Sequence, residues 1–531
     1  MPASIFDAYV SGAAPEFFPS AFSRERDRLN AVLRASRQIA PQVLAALEAQ
    51  NVALGPSAAR EENLRRLRAG AAVVVTGQQV GLFLGPLYTV YKAASAVRVA
   101  RALREASGRD VVPLFWLQTE DHDLPEIAHC TVAGVGGEPR SLQLQVPEDN
   151  HVSIAHLRLP DQIAECHGLI ATELGTLPEA APHLARLARH YRAGAGWVAA
   201  FAGVLSELFE PEGLLVFDPR ERSVAEHLAP LHERALSQAR ELADVLDARR
   251  EALERAGYEA VVHVRAGAPL SFFHAGAIDG PRCRLVPGEA GFLEVGTQIS
   301  HSHAQLTAAL ARDPLCFSSS ALLRPIVQDW LLPTAAYVGG PAEVAYSAQL
   351  APLYAAFELE MPLIVPRARL RVIEPAAARL LERLHLAPAA LLQNEASLLR
   401  ELAAASGGAG PSPSHFEHEL TSGFERVLAA ALAEIGPLGQ RLGPTLDKTR
   451  DKLRTTAVKL AERYAGLRAE GDVTRVSALH RVRGLLQPRG LPQERVYAFA
   501  HFAARFGERP FLERVLAAIE PFAAESQELH W

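Results

Sequence analysis

The feature that most constrains this chain is the apolar run Ala72-Val73-Val74-Val75, which stops abruptly at the polar stretch TGQQVGLFLGPLYTVYK, Thr76–Lys92. A short, continuous, β-branched run has no polar face, so it reads as a strand covered on both sides, the signature of a parallel sheet. Thr76, Gly77, Gln78, Gln79 and Gly81 form a polar loop with two glycines that tolerate positive φ, and Gly85-Pro86 offers a helix start. From Leu87 to Glu105 the apolar residues Leu87, Val90, Ala94, Val97 and Leu103 recur at helical spacing; Gly108 then precedes a second apolar strand, Val111–Leu117. This is a βαβ unit, and ligands of such units gather at the carboxyl ends of the strands.

Both polar strand ends therefore belong to one candidate site. The first carries Thr76, Gly77, Gln78, Gln79 and Gly85, with Tyr88 and Lys92 following on the helix. The second carries Glu120, Asp121, His122 and Asp123. Three carboxylates in four residues repel one another, so the cluster calls for a cation, a basic partner or a shared proton. Leu214–Phe217, ending at Asp218-Pro219-Arg220, supplies a further buried strand, and Thr334–Val338 and Met361–Val365 two more. Around them stand Arg324 and Gln328, four residues apart on one helix, then Gly339-Gly340, Glu343 and Tyr346, and the basic loop Arg367, Arg369 and Arg371. Glu343 also suits the first turn of a helix as a cap.

At 531 residues the chain exceeds one ordinary domain, and 49% hydrophobic with 21% charged residues is a globular balance. A net charge of −6 disfavours nucleic acid as a partner. The start MPASIFDAYVSG lacks a secretory pattern and no uninterrupted apolar stretch is long enough to span a bilayer, so the expectation is a cytoplasmic protein with no membrane partner. Cys130, Cys166, Cys283 and Cys316 include no Cys-x-x-Cys pair, and neither a metal site nor zinc is expected.

Residues 1–129 read as amino-terminal helices and the first half of the core; 130–315 as a mixed insertion that includes core elements; 316–374 as the second half of the core; 375–475 as a helical arm; and 476–531 as helices returning to the core. Within the insertion, Thr131–Gly137 and Ser141–Val146 read as a hairpin around GVGGEPR, and Val261–Ala275 and Cys283–Val295 alternate as strands do. In the arm, Leu446, Leu453, Leu460 and Leu467 repeat every seven residues, a coiled-coil seam, beside a second helix at His415–Ile435 joined through Gly436–Pro444; Ser406–Ser414 reads as a flexible break. The apolar stripe suits an antiparallel pair and also a dimer.

Taken in order, TGQQVGLFLGPLYTVYK, FWLQTEDHDLPEI, SSALLRPIVQDWLLPT, GGPAEVAYSAQL, MPLIVPR and LPQERV resemble the BshC family, the cysteine-adding enzymes of bacillithiol biosynthesis, along essentially the whole chain. The resemblance implies an α/β fold: a Rossmann-like parallel-sheet core resembling class I aminoacyl-tRNA synthetases, with connective-peptide insertions and an α-helical coiled-coil arm that forms a homodimer. It implies an amide ligase joining cysteine to glucosaminyl malate, with ATP or another nucleotide as co-substrate and magnesium left open. The synthetase likeness departs at the motifs, since no His-x-Gly-His stands at the first helix and no Lys-Met-Ser-Lys-Ser loop follows Pro366. For such a reaction, Lys92, Gly85 and Arg367 suit phosphate charge, and His122, made more basic by its flanking acids, suits the general base. Asp121 and Asp123 suit a substrate ammonium or a magnesium ion, and Gln78, Gln79, Arg324, Gln328 and Tyr346 suit polar substrate groups. A non-catalytic nucleotide- or sugar-binding assembly protein, and a nucleotidyltransferase acting on another acid, remain open on sequence alone.

Overall fold

The structure, a computed structural model, describes residues 4–134, 137–147, 151–275, 277–289, 291–405, 410–435, 442–470 and 473–531. The predicted turn GVGGEPR, the break Ser406–Ser414 and the connection Gly436–Pro444 fall partly outside these residues. The chain divides into two compact units. The first combines Met1–Val132, Arg140–Leu370 and Tyr497–Leu529; the second combines Ala133–Pro139, Arg371–Val496 and His530–Trp531.

The strands up to residue 366, in chain order, are β1 (Ala72–Gln78), β2 (Val111–Leu117), β3 (His129–Ala133), β4 (Pro139–Gln143), β5 (Leu215–Phe217), β6 (Ser271–His274), β7 (Arg282–Gly288), β8 (Gly291–Glu294), β9 (Ser300–His301), β10 (Phe317–Ser319), β11 (Thr334–Gly339) and β12 (Leu363–Pro366). Five of them make the central sheet in the order β12-β11-β1-β2-β5, and every pairing is parallel. The strand order reverses between β1 and β11, so the crevice of a doubly wound sheet opens at the carboxyl ends of those two strands, and the polar end of β2 lies beside that of β1. Val73, Val74, Val111, Val112, Leu215, Ala336 and Leu363 are all buried in one core, as the unbroken apolar runs require. The amino-terminal helices Glu25–Ala35, Pro41–Ala53 and Ala58–Arg68 contribute Val32, Val43, Leu47 and Leu64 to the same core.

A second sheet, ordered β10-β6-β7-β8-β9, is antiparallel throughout. Only the end of the predicted strand Val261–Ala275 takes part in it. Val261–Leu270 is irregular because Gly267 (φ +68°) and Pro269 break the extended run.

The loop after β1 also differs from expectation. Gly77 and Gly81 are not its left-handed residues; Phe83 (φ 51°), Leu84 (φ 72°) and Gly85 (φ 63°) are. Leu82–Leu84 forms one tight turn, and the long helix starts at Tyr88, two residues beyond Pro86. Two side chains from the insertion hold this strained turn: Tyr191 Oη donates to Gly81 O (3.2 Å) and accepts from Leu84 N (3.3 Å), while Trp197 Nε1 donates to Val80 O (2.6 Å).

In the second unit, helices Pro375–Leu384 and Val473–Leu486 share a core of Leu381, Leu384, Leu398, Leu479, Val482 and Leu485. The arm is a pair of helices, Pro413–Ile435 and Gly443–Glu470, with Phe416 and Tyr464 rings 5.0 Å apart and Arg450 paired to Glu425 (3.2 Å). The leucine seam is not what this pair buries. Leu460 and Leu467 are 47% and 59% exposed, whereas Ala457, Ala461 and Ala465, four residues apart, are buried. Small side chains let neighbouring backbones approach; of the heptad row, Leu460 and Leu467 are turned outward while Leu446 and Leu453 are half-buried.

Candidate active site

Beyond the carboxyl end of β2 lies a cavity of about 1030 Å³. Trp116, Gln118, Glu120, Asp121, His122 and Asp123 form one wall; Phe272, Arg282, Arg284 and Glu294 of the antiparallel sheet form another; Ser319, Ser320 and Arg324 close it. The acidic loop is ordered by its own bonds. Asp121 Oδ1 accepts the His122 N–H (2.8 Å), and Asp123 caps the short helix that follows by accepting from Glu126 N (3.2 Å). Gln79 reaches across from β1 and donates to both Asp121 Oδ2 (2.8 Å) and Glu126 Oε2 (2.6 Å).

The repulsion expected among the acids is relieved mainly by Arg282, a residue that the sequence reading did not single out. Its guanidinium is buried, lies 3.7 Å from the centre of the Phe272 ring, and donates to Ser318 Oγ (3.1 Å), Ser319 O (2.9 Å) and His122 Nδ1 (3.0 Å). It also stands 3.7 Å from Asp121 Oδ1. Glu120 is buried against Ser319, accepting from both its N–H (3.2 Å) and its hydroxyl. Burial alone would raise the Asp121 carboxyl, but Arg282, Gln79 and the His122 N–H hold it below its ordinary value. His122 moves the other way from expectation. Burial and then Arg282 lower its pKa, and they outweigh Asp121 and Asp123, so the flanking acids do not make it more basic. The alternating stretch Arg282-Cys283-Arg284 carries no local mark of this role, because the serines that Arg282 meets lie on β10, beyond β6 in the sheet.

A second polar cluster sits where β1 and β11 end. Lys92 is buried; its Nζ lies 2.5 Å from Glu343 Oε2 and donates to Gly77 O (2.8 Å) and Gln78 Oε1 (2.8 Å). Glu343 also accepts from Tyr337 Oη (2.6 Å) and from Gly340 N (2.8 Å), so it is the expected cap and the lysine's counter-ion at once. Gly339 permits this closeness, since a Cβ there would stand 3.0 Å from Glu343 Cβ. Gln78 Nε2 is 3.4 Å from Tyr88 Oη, and the Arg367 guanidinium lies 5.6 Å from the Tyr88 ring. Arg324 bridges toward this cluster by donating to Tyr346 Oη (3.0 Å).

The remaining candidates stand elsewhere. Thr76 is buried and donates to Val338 O (2.8 Å), a strand-to-strand tie. Gln328 does not share a target with Arg324; it donates to the buried Asp329 (3.0 Å). Arg369 lies in an extended segment, Arg369–Ile373, and donates to Ala524 O (2.5 Å). Gly85 belongs to the strained turn. Among the described residues, no group of three or more His, Cys, Asp or Glu side chains is arranged to hold a metal ion, and the four cysteines are unpaired thiols.

Comparison with known proteins gives the family. The family described as "Bacillithiol biosynthesis BshC, N-terminal Rossmann-like domain" matches residues 4–368, and "Bacillithiol biosynthesis BshC, C-terminal coiled-coil domain" matches residues 370–531. The chain belongs to the BshC family. Among its relatives, the proteins named "Putative cysteine ligase BshC" from Koribacter versatilis and Solibacter usitatus are each 33% identical, over 88% and 82% of this chain and 85% and 80% of their own. The protein of that name from Bacillus cereus strain ATCC 14579 is 28% identical over 84% of this chain and 82% of its own. BshC membership agrees with the Rossmann-like core and helical arm read from the sequence. No helix among the described residues is long and apolar enough to cross a membrane.

Proposed function

We propose that this BshC protein is an amide-forming ligase that adds cysteine to glucosaminyl malate, using ATP or another nucleotide to activate the reacting carboxyl group. Amide formation from a carboxylate is uphill in water, so the carboxylate oxygen has to leave attached to phosphate while the amine supplies the new C–N bond and loses a proton. The observation that carries this reading is the cavity itself, which sets Glu120, Asp121 and Asp123 against Arg282, Arg284 and Arg324 at the carboxyl edge of the parallel sheet. Its carboxylates suit a substrate ammonium, and its arginines suit carboxylate and phosphate oxygens.

The residues present fit a nucleotide in part. Arg324, which donates to Tyr346 Oη, and Arg367, which stands beside the Tyr88 ring, are the cations that would meet phosphate charge, and Lys92 is paired with Glu343. Gln78, Gln79 and Tyr88 would orient polar groups at the same edge. A second copy of the chain is the partner this reading adds, through the outward leucines of the arm.

The test is incubation of the purified protein with cysteine, glucosaminyl malate and ATP, followed by mass spectrometry of thiols and chromatography of nucleotides. A cysteine-containing condensation product formed with stoichiometric AMP or ADP supports the reading. Nucleotide turnover that ignores cysteine would favour a nucleotidyltransferase acting on another acid, and binding without turnover would favour an assembly protein.

A further inference from the structure

Arg282 fixes how His122 can act. It reaches His122 from β7, on the wall facing the acidic loop, and three of its nitrogens have assigned acceptors: Nε on Ser318 Oγ, Nη2 on Ser319 O and Nη1 on His122 Nδ1. The guanidinium face rests on Phe272, and its side chain is only 8% exposed, so rotation away would leave a buried cation without these partners. A guanidinium only donates. The ring nitrogen that it addresses must therefore present a lone pair, and a neutral imidazole then carries its hydrogen on the other nitrogen.

We infer that Arg282 is a positioning residue that holds His122 as the neutral Nε2–H tautomer, so that His122 serves the ligation as a hydrogen-bond donor to the oxygen gaining charge at the reacting carbonyl, not as the base that takes the amine proton. The inference rests on the ligase reading for its role and on Arg282 geometry for its tautomer. No bond is made or broken at His122 in this role; the Nε2 proton stays where it is. The charges around the ring agree with it. Asp121 and Asp123 favour an imidazolium, but Asp121 Oδ1 is 3.7 Å from Nδ1 and is occupied by the His122 backbone N–H, while burial, Arg282 and His151 oppose the charge and prevail.

The experiment is two-bond proton–nitrogen NMR of the full-length protein labelled with ¹⁵N-histidine, with the His122 signals identified by their loss in His122→Gln. The expected result is an unprotonated Nδ1 and a protonated Nε2 at neutral pH, with an imidazolium forming only below the ordinary histidine range. A protonated Nδ1, or an imidazolium at neutral pH, overturns the inference whatever the activity. Kinetics supply the second arm. Removing a donor to a developing oxyanion costs about 10²–10³ in kcat, so His122→Ala should fall that far, while His122→Gln, which keeps an N–H near the position of Nε2, should recover at least about tenfold of it. Equal loss in both variants would assign His122 to proton transfer and overturn the inference. If the tautomer is as stated but wild-type protein makes no cysteine adduct, the ligase reading fails and the donor role fails with it, while the Arg282 assignment stands.

Discussion

Lys92 Nζ lies 2.5 Å from Glu343 Oε2, both side chains enclosed where β1 and β11 end. The pair ties the first crossover helix to the loop Gly339-Gly340, so the strand ends that carry Gln78 and Arg367 are held in one register. Burial lowers the lysine's pKa, while Lys92, Tyr337 and Gly340 together hold Glu343 below its ordinary value. Removing one member strands the other's charge inside the protein, which costs about 3–5 kcal/mol. Glu343→Gln should lower the unfolding free energy by that order in urea titrations, and Lys92→Met/Glu343→Gln together should cost less than the two single changes added.

Glu508 gives a pH-dependent counterpart. Burial would raise its carboxyl, but His183 Nδ1 at 2.6 Å and Arg186 at 2.8 Å outweigh burial and hold it down at about 2. A depressed carboxylate stabilises the fold above its unfolded pKa and loses that contribution as pH falls through the folded value. Between an ordinary 4.5 and about 2, this is on the order of 3 kcal/mol. Glu508→Gln should therefore be less stable than wild type at neutral pH by up to about that amount, and the gap should close between about pH 4.5 and about pH 2. A gap constant down to about pH 2 would show that Glu508 acts through packing alone.

The strained turn after β1 should depend both on Tyr191, which ties it down, and on Gly81, which lets it close. Tyr191→Phe keeps the ring against Phe83, 5.0 Å away, and removes only the bonds to Gly81 O and Leu84 N. A loss of about 1–3 kcal/mol is expected from the two buried backbone groups left unpaired, with faster amide exchange confined to residues near Gly81–Leu87. Gly81→Ala should be worse. Gly81 has an ordinary φ of −64°, but a Cβ there would meet Gly85 Cα at 2.9 Å, so the turn must open. Gly108→Ala, with φ +66° and open space, should cost only about 1 kcal/mol. Hydrogen exchange and thermal denaturation of the three variants measure this ranking.

The central sheet was legible because its strands are apolar on both faces: Val111–Leu117 was bounded to the residue, and Leu215–Phe217 and Thr334–Gly339 to within one. The acidic loop was visible for the opposite reason, as charge at a strand end. What stayed hidden depends on contacts distant in sequence. Arg282 is 160 residues from His122, and nothing local tells an arginine in an alternating strand from a solvated one. The sign of the His122 shift was misread for the same reason, since Asp121 and Asp123 are visible as neighbours and Arg282 is not. Likewise, the leucine heptad was real as a repeat, but only the fold shows that alanines one turn apart made the intramolecular contact.

The outward row of the arm yields the last prediction. In Gly443–Glu470, Ala457, Ala461 and Ala465 are buried within the second unit, while Leu460 and Leu467 present apolar surface to solvent from the same helix. Exposed single leucines are ordinary, but a row at seven-residue spacing costs nothing to retain only where another apolar surface covers it. If that surface belongs to a second copy, Leu460→Lys/Leu467→Lys should convert a dimer to a monomer in sedimentation equilibrium while lowering the urea midpoint of the monomer only slightly, because both side chains are about half exposed. Ala461→Leu should do the reverse in kind: it overpacks the buried face, costs about 1–3 kcal/mol and loosens the arm before it alters association. Wild-type protein that sediments as a monomer at micromolar concentration would remove the dimer, and with it any role for the leucines beyond the isolated helix.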